Sequence, residues 1–559
     1  MSDRSRLRND LIPLLLLALL RLALHLLLNT QYGFHRDELQ VLDDARHLDW
    51  GYVPYPPLTP FLGWVELHLF GTSLSGFRFF AALAQCAAMV LTGLIARELG
   101  GRRFAVLIAA VATATMPFSL VMSSMLMYSS LDLLWWVGIA YFTLRLVNSG
   151  NPRWWLALGL VFGLGLMTRY TIVICAAGLL AGVVVTDLRR QLLTPWPWLG
   201  VAIALLMFAP NLLWQVQHDF IYLDFVKHIH ERDIRWHRTD GFWVQQLYAN
   251  TGPLLLPLWC AGLLFLTFAR AMRPYRVLAW IYVIALILFA VSRGRGYYLA
   301  PAYPMLLAAG AVAFEQWLDR LRAAPARALR GGAWAVLALA CVTSAVLALP
   351  LGSVNSLTWR VARKVHDDFA EQIGWPELVQ RIAEIYRSLP AEERVHTSIL
   401  ANNYGEAGAI NLYGPALGLP QAISRTNTYW YRGYGDPPPT TIIELGNSAE
   451  DESKSAATCT SFGKFHNDAG VENEESAWNY EIFVCRDIPP KWPEIWGVKP
   501  RFGRRSDCRP RYNPTLCTSR QDHDRNQSDC RPHRRPDQPC RVVTGVSLTT
   551  TPSANVSKR

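Results

Sequence analysis

Apolar and polar residues alternate in long blocks along the first 350 positions of the chain. An apolar block of roughly 20 residues, folded as a helix, crosses the ~30 Å hydrocarbon core of a bilayer. The pattern therefore predicts a polytopic α-helical membrane protein. Its eleven predicted spans lie at about 10–28, 78–97, 104–122, 129–147, 154–168, 170–186, 196–214, 253–270, 276–292, 297–317 and 332–350.

The loops between these spans differ in arginine content. Six segments that fall on one side, from the N-terminus to residues 319–330, hold 17 Arg, whereas the alternate turn at 122–130 holds none. Because short loops rich in Lys and Arg stay in the cytoplasm, we expect a cytoplasmic N-terminus. The odd span count then places 29–77, 215–252 and everything after residue 350 outside, where loops on a rigid scaffold commonly carry function.

The composition supports a membrane protein and argues against a nucleic-acid-binding protein. Hydrophobic residues make up 51% of the chain and charged residues only 17%, well below the charged share of a soluble protein. The net charge of +11 comes mainly from residues 501–559, which contain 13 Lys+Arg against 5 Asp+Glu. Nucleic acid is therefore not an expected partner. We expect residues 500–559 to be a disordered basic tail or an abnormal extension, without an assigned function.

The first outside loop concentrates charge directly after the first span. Residues 37–50 place Val41, Leu42 and Ala45 on one helical face and acidic residues on the others, which predicts a short interfacial helix. Asp37 and Glu38 fall in its first turn, where acidic side chains often cap a helix. An Asp beside an Arg and a helix N-terminus stays ionised and is ready to accept a proton. Capping and catalysis are both open readings here.

A resemblance to a known family narrows the choice. "HRDEL" after the first span, the flat helix and the Pro-Pro-Leu turn resemble the bacterial dolichyl-phosphate-mannose-protein mannosyltransferase-like family, as do "SSLDLLWW", "GLMTRYT" and "NNYGEAGAINLYG". These are polyprenyl-phosphate-dependent glycosyltransferases with a GT-C-type membrane fold, related to the aminoarabinose lipid A transferase. The resemblance implies a location in the bacterial inner membrane and Asp37 as catalytic base, with Asp132 nearby in the same cavity.

Further polar residues have two readings each. Asp132 could instead form a capping pair with Ser129 or Ser130. Arg169 at a turn between spans could snorkel or bind a lipid phosphate with Tyr170 beside it. Arg36, Arg293 and Arg295 are expected to bind the donor phosphate. Beside the last two, Gly294 and Gly296 would let the backbone approach an anion closely, and plain membrane anchoring is the open alternative for this turn. The residues expected to line a substrate loop are Tyr55, Pro56, Pro57, His218 and Lys227.

No cofactor is indicated with certainty, and a divalent metal stays open. His228 and His230 have a spacing that occurs in metal sites, but no third ligand is fixed by the sequence. Most such clusters are solvated faces. We expect the loop around them to act as a lid, with aromatic side chains that pack on sugar rings or acyl chains.

The last outside segment changes character. Residues 351–499 mix polar and apolar positions and predict a small extracytoplasmic α/β domain, which follows a transmembrane domain at 1–350. It either closes over the substrates or simply caps the bundle. Cys459 and Cys485 fall in it, and one disulfide between them is open.

The leading hypothesis is an enzyme that transfers a sugar from a polyprenyl-phosphate donor to a protein, lipid or glycan acceptor on the outer side, with inversion of configuration. The rival is a multi-span transporter or flippase, which would show repeats and charges deep in its spans. A glycan polymerase or ligase on a similar scaffold is a third reading.

Overall fold

The computed structural model describes residues 3–447, 458–473 and 481–502. Most of the first 350 residues are helical. The α-helices of this part are α1 (Asp3–Leu28), α2 (Arg36–Arg46), α3 (Leu58–Phe70), α4 (Leu74–Phe77), α5 (Phe79–Glu98), α6 (Arg103–Thr115), α7 (Pro117–Met122), α8 (Tyr128–Ser149), α9 (Trp154–Leu166), α10 (Ile172–Val185), α11 (Pro195–Gln217), α12 (Ile221–Arg235), α13 (Phe242–Tyr248), α14 (Leu256–Phe268), α15 (Arg276–Val291), α16 (Tyr303–Leu318) and α17 (Ala323–Ala348).

The predicted spans coincide with these helices. Within the described ranges, seven helical segments are long and apolar enough to cross a membrane, and two pairs bent at a short break bring the number to nine. The shorter apolar helices α6 and α9 occupy the two blocks that remain. Each predicted block therefore contains one apolar helix, and the helical membrane fold class is confirmed.

The third predicted span is broken, and a buried arginine of α1 binds the helix that follows the break. Pro117 starts α7 directly after α6 ends, because proline lacks the N–H that would continue the helix. Arg21 of α1 donates to the Ser119 carbonyl at 3.1 Å, the Ser119 hydroxyl at 2.8 Å and the Ser123 hydroxyl at 3.0 Å. This cation inside the first span therefore fastens α1 to α7.

The C-terminal domain, residues 351–499, is a mixed α/β module as predicted. A five-stranded sheet of order β2-β1-β3-β5-β4 forms its centre; β1 pairs in parallel with β2 and β3, and β5 pairs antiparallel with β3 and β4. Cys459 of β4 and Cys485 of β5 are directly opposed and are joined by a disulfide. The elements are α18 (Leu357–Arg363), α19 (Trp375–Ser388), α20 (Ala391–Arg394), β1 (Thr397–Ala401), α21 (Tyr404–Tyr413), β2 (Ala422–Ser424), β3 (Thr441–Asn447), β4 (Thr458–Lys464), β5 (Glu481–Arg486) and α22 (Trp492–Trp496).

Helix α2 lies between the bundle and this domain. Its apolar residues Leu39 and Leu42 share one hydrophobic cluster with Val379 of α19 and Ile399 of β1. An isolated amphipathic helix would turn its polar face to water, as the sequence pattern implies. Here Asp43 and Asp44 of α2 are buried as well, because Arg432 of the C-terminal domain covers them.

The segment 215–252 joins the same end of the molecule. Lys499 of the C-terminal domain donates to Asp224 of α12 at 2.7 Å. Val53 of the first loop packs with Trp214 and Ile221 in one small cluster. The three segments predicted to share one side of the bundle are therefore in mutual contact. The tail predicted to begin at residue 500 lies outside the described residues from position 503 onward.

Candidate active site

Asp37 occupies the first turn of α2, and His35 caps this helix. The His35 Nδ1 accepts from the Asp37 N–H at 3.1 Å, and Glu38 accepts from the His35 N–H at 2.9 Å, so the two residues form a capping box. A neutral imidazole that accepts a hydrogen bond explains why a histidine tolerates this helix terminus. The charge cluster therefore has a structural part, and that part does not use the Asp37 carboxylate.

The Asp37 carboxylate is half-buried and held on one side. Its Oδ1 accepts from the Tyr404 hydroxyl at 2.7 Å. Within the described ranges, its Oδ2 makes no hydrogen bond to another residue. One oxygen is therefore fixed by the C-terminal domain, and the other is available to a ligand.

Glu38 is fully engaged. Its carboxylate accepts from Arg78 Nε at 3.0 Å, from Arg78 Nη2 at 2.6 Å and from the Leu126 N–H at 3.0 Å, in addition to the His35 N–H. Both Glu38 and Arg78 are almost completely buried. A buried pair with this many donors holds α2 against the bundle, so Glu38 has the geometry of a structural residue.

Arg169 is enclosed by aromatic rings and paired with Asp132. Its Nη1 lies 3.4 Å from Asp132 Oδ2 and 3.3 Å from the Ser129 hydroxyl. Its guanidinium lies over the rings of Tyr128 at 5.0 Å and Tyr298 at 4.7 Å. Arg169 is only 7% exposed, so it does not snorkel to the surface. It is a buried cation of the kind that pairs with another group at membrane depth.

Asp132 does not cap its own helix. Ser130 takes that position, since its hydroxyl accepts from the Met127 N–H at 3.2 Å. Asp132 lies one turn into α8, is 1% exposed and faces Arg169. Of the two readings of Asp132, the structure has the one in which the carboxylate points into the bundle.

The segment 126–128 lies between the two charged centres. The Leu126 N–H donates to Glu38, the neighbour of Asp37, at 3.0 Å, and the Tyr128 ring faces the Arg169 guanidinium. Tyr55 packs beside Tyr128 with ring centroids 5.9 Å apart. The buried Tyr55-Pro56-Pro57 turn then leads into α3, where the Leu58 N–H donates to the Met167 carbonyl at 2.9 Å. The first loop is therefore fastened to the turn that carries Arg169.

The other predicted phosphate ligands have protein partners or face away. Arg295 makes a bidentate pair with Asp233, at 2.6 Å for each nitrogen. Arg293 is exposed. The Gln245 side chain packs directly on Gly296, since a Cβ on Gly296 would lie 2.1 Å from Gln245 Oε1. A protein side chain, rather than an anion, therefore occupies the space beside this glycine.

The remaining predicted residues are dispersed around the site. The Tyr170 hydroxyl donates to Asn211 at 2.6 Å. His218 stacks on Trp214, and Lys227 is exposed on α12. Arg36 lies 3.9 Å from Glu371. Among the residues that the structure describes, no group of three His, Cys, Asp or Glu is arranged to hold a metal ion.

Comparisons with known proteins agree with this architecture. The family model described as dolichyl-phosphate-mannose-protein mannosyltransferase matches residues 54–214. ArnT from Cupriavidus metallidurans bound to undecaprenyl phosphate is similar with a TM-score of 0.55 and 15% identity, over 85% of this chain and 97% of that one. The chain therefore has the GT-C fold, and its segment 54–214 is similar to the mannosyltransferase family. The fold predicted from the sequence is confirmed, and the predicted family resemblance agrees with this match.

Two further comparisons complete the picture. The apo state of the same ArnT gives a TM-score of 0.53 at 15% identity, with the same coverage of 85% and 97%. The Archaeoglobus fulgidus oligosaccharyltransferase in complex with Zn and sulfate gives 0.45 at 14% identity, over 76% of this chain and 68% of that chain. No curated protein matches the chain in sequence. The segment that the family model matches contains Tyr55, Asp132 and Arg169 but begins after Asp37.

One buried polar network was not predicted from the sequence. Arg432 donates to both Asp43 and Asp44, at 2.6 Å for Asp44, and the Tyr55 hydroxyl donates to Asp44 at 2.7 Å. Burial raises the pKa of Asp44 to about 7, and Arg432 opposes the rise. The partners are 388 residues apart, so only a signal of paired positions between distant segments could have revealed them.

Proposed function

We propose that this protein transfers a sugar from a polyprenyl-phosphate donor to an acceptor hydroxyl on a protein, lipid or envelope glycan. The shared fold supports this, because the ArnT structure of similar architecture holds undecaprenyl phosphate. The arginine distribution supports a site on the extracytoplasmic side of a bacterial inner membrane, since the 17 Arg of the short loops belong to the opposite side.

One observation carries the proposal. A half-buried carboxylate with an available oxygen, Asp37, and a buried guanidinium, Arg169, lie on either side of the segment 126–128: Glu38, next to Asp37, accepts from the Leu126 N–H at 3.0 Å, and Arg169 lies 5.0 Å from the Tyr128 ring. General-base transfer from a phosphate-linked sugar needs this combination: a base for the acceptor and a cation for the leaving group.

The reaction follows from these positions. Asp37 Oδ2 takes the proton of the acceptor hydroxyl while that oxygen forms a bond to the anomeric carbon. The bond between that carbon and the phosphate oxygen breaks, and the electron pair leaves with polyprenyl phosphate. Attack from the side opposite the phosphate inverts the configuration. Arg169 offsets the charge that develops on the phosphate.

The other predicted residues have supporting roles in this proposal. Asp132 holds the fork of Arg169 through its 3.4 Å contact, and Glu38 holds α2 against the bundle through Arg78. Neither carboxylate has to touch the sugar. The Tyr55-Pro56-Pro57 turn shapes the wall between the two charged centres, since it is buried and rigid.

The test uses purified protein in detergent with defined polyprenyl-phosphate sugars. We expect release of free polyprenyl phosphate together with an acceptor that is heavier by one sugar, and the mass difference names a hexose, pentose or aminosugar. A polymerase would give a ladder of masses. A flippase would move the donor between leaflets of a vesicle and release no polyprenyl phosphate, and that result would contradict the proposal.

A further inference from the structure

The segment "YGEAGAINLYG", residues 404–414, stands out in the sequence but has no part in the chemistry so far. It forms α21, which begins at Tyr404. Asn403 caps this helix, because its Oδ1 accepts from the Gly405 N–H at 2.8 Å and the Glu406 N–H at 3.1 Å. A capped first turn has a fixed direction. Tyr404 therefore projects from a rigid point of the C-terminal domain.

Two glycines bring α21 against α2. A Cβ on Gly408 would lie 2.6 Å from the Leu39 carbonyl oxygen, and a Cβ on Gly405 would lie 2.3 Å from Arg36 Cγ. Real side chains do not approach so closely, so the hydrogen atoms of these glycines allow the two helices to touch. Both contacts are made to the first turn of α2, which also carries Asp37.

The contact sets the position of the Tyr404 side chain. Its ring lies 5.5 Å from the Arg36 guanidinium, and its hydroxyl donates to Asp37 Oδ1 at 2.7 Å. Arg36 also lies 3.9 Å from Glu371 of the same domain. The C-terminal domain therefore contacts both charged residues at the start of α2.

We propose that Tyr404 is a positioning residue of the active site, through which the C-terminal domain orients the catalytic carboxylate. This rests on the proposed function, in which Asp37 is the base. A carboxylate free to rotate presents either oxygen to the acceptor at varying angles. The Tyr404 hydroxyl holds Oδ1, so that Oδ2 faces the acceptor in one orientation. The domain is then a part of the catalytic unit rather than a cap.

Tyr404→Phe tests the proposal because it removes the hydroxyl and keeps the ring over Arg36. We expect a decrease of kcat by about tenfold, the scale of one lost hydrogen bond to a charged group, and an unchanged KM for the donor lipid. The matched control is Tyr386→Phe in α19, whose hydroxyl donates to the Arg394 carbonyl at 3.0 Å inside the same domain. We expect the control to keep its kcat.

A double variant separates positioning from a general loss of structure. If Tyr404 acts through Asp37, adding Tyr404→Phe to Asp37→Asn lowers the residual rate no further, since effects of coupled residues are not additive. A further tenfold loss in the double variant would overturn the inference. So would full activity of Tyr404→Phe beside an inactive Asp37→Asn, which leaves the proposed function intact. Wild-type transfer by Asp37→Asn would overturn both.

Discussion

Arg432 of the C-terminal domain forms ion pairs with two acidic residues of α2. These ion pairs allow a quantitative prediction of how much the contact between the first loop and the C-terminal domain contributes to stability. Arg432 approaches Asp43 and Asp44, whose side chains are 1% and 0% exposed. Arg432→Gln removes the positive charge and keeps much of the side-chain volume. Two adjacent buried carboxylates then share no cation, and one of them has to stay protonated.

The expected loss follows from the contacts. Each hydrogen bond to a charged group contributes about 1.5–3 kcal/mol, and breaking a buried ion pair on one side costs about 3–5 kcal/mol. Because the pKa of Asp44 is already about 7, that group is neutralised near pH 7 at little cost. We therefore expect the lower end, about 3 kcal/mol. For a domain of this size that is roughly 5–10 °C in apparent Tm.

The loss of stability caused by Arg432→Gln increases as the pH rises above 7. Below pH 7 Asp44 is protonated with or without Arg432, so the difference between wild type and variant is constant. Above pH 7 the wild-type carboxyl ionises and pairs with Arg432, whereas in the variant its pKa rises further and it keeps its proton. The deficit then grows by up to about 1.4 kcal/mol per pH unit.

Tryptophan fluorescence during heating in detergent measures this, at one scan rate because membrane proteins commonly unfold irreversibly. The matched control is Arg381→Gln on α19, whose pair with Glu384 is exposed and contributes about 0–1 kcal/mol. Equal shifts for both variants, or a deficit of Arg432→Gln that is the same at pH 6 and pH 8, would refute the reasoning.

Two further predictions concern single side chains. The folded-state pKa of Asp44 is raised to about 7 from an ordinary value of 3.8, so its contribution to stability falls as pH rises from about 4 to about 7. Asp44→Asn should therefore remove the decrease of Tm over this pH range. An unchanged decrease would exclude Asp44 as its source. Arg169→Lys keeps the charge but loses the planar fork toward Asp132 and the stacking on Tyr128, so we expect kcat/KM for the donor to fall at least about tenfold. The control Arg189→Lys, at an exposed position, should keep its activity. Equal activity of the two variants would contradict a role of Arg169 in phosphate binding.

The fold could be predicted where the signal is local. Each span is set by a continuous apolar block, and β1 and β3 by short apolar runs, so neighbouring residues are enough to find them. The polar face of α2 could not be interpreted in this way. Its acidic residues are indistinguishable in sequence from a solvated face, and only the distant Arg432 and the covering domain make them buried.

The candidate site residues can be separated in the same way, into those with a local sequence signal and those whose role depends on a distant contact. Asp37, Asp132 and Arg169 can be singled out as candidates from the sequence, because ionisable residues at span ends are conspicuous in an apolar chain. Arg295 looked like a phosphate ligand from its flanking glycines, yet the sequence does not show that Asp233 takes its guanidinium. Tyr404 was missed because its role depends on a contact across 367 positions.

The proposal that Asp37 is the catalytic base can be tested directly with one measurement. Purified wild type and Asp37→Asn are compared for release of polyprenyl phosphate from a labelled donor lipid, with donor binding measured in parallel. If Asp37 is the base, Asp37→Asn binds the donor as wild type does and turns it over at least about a hundredfold more slowly, the usual scale of a lost general base. Turnover at the wild-type rate would contradict the proposal.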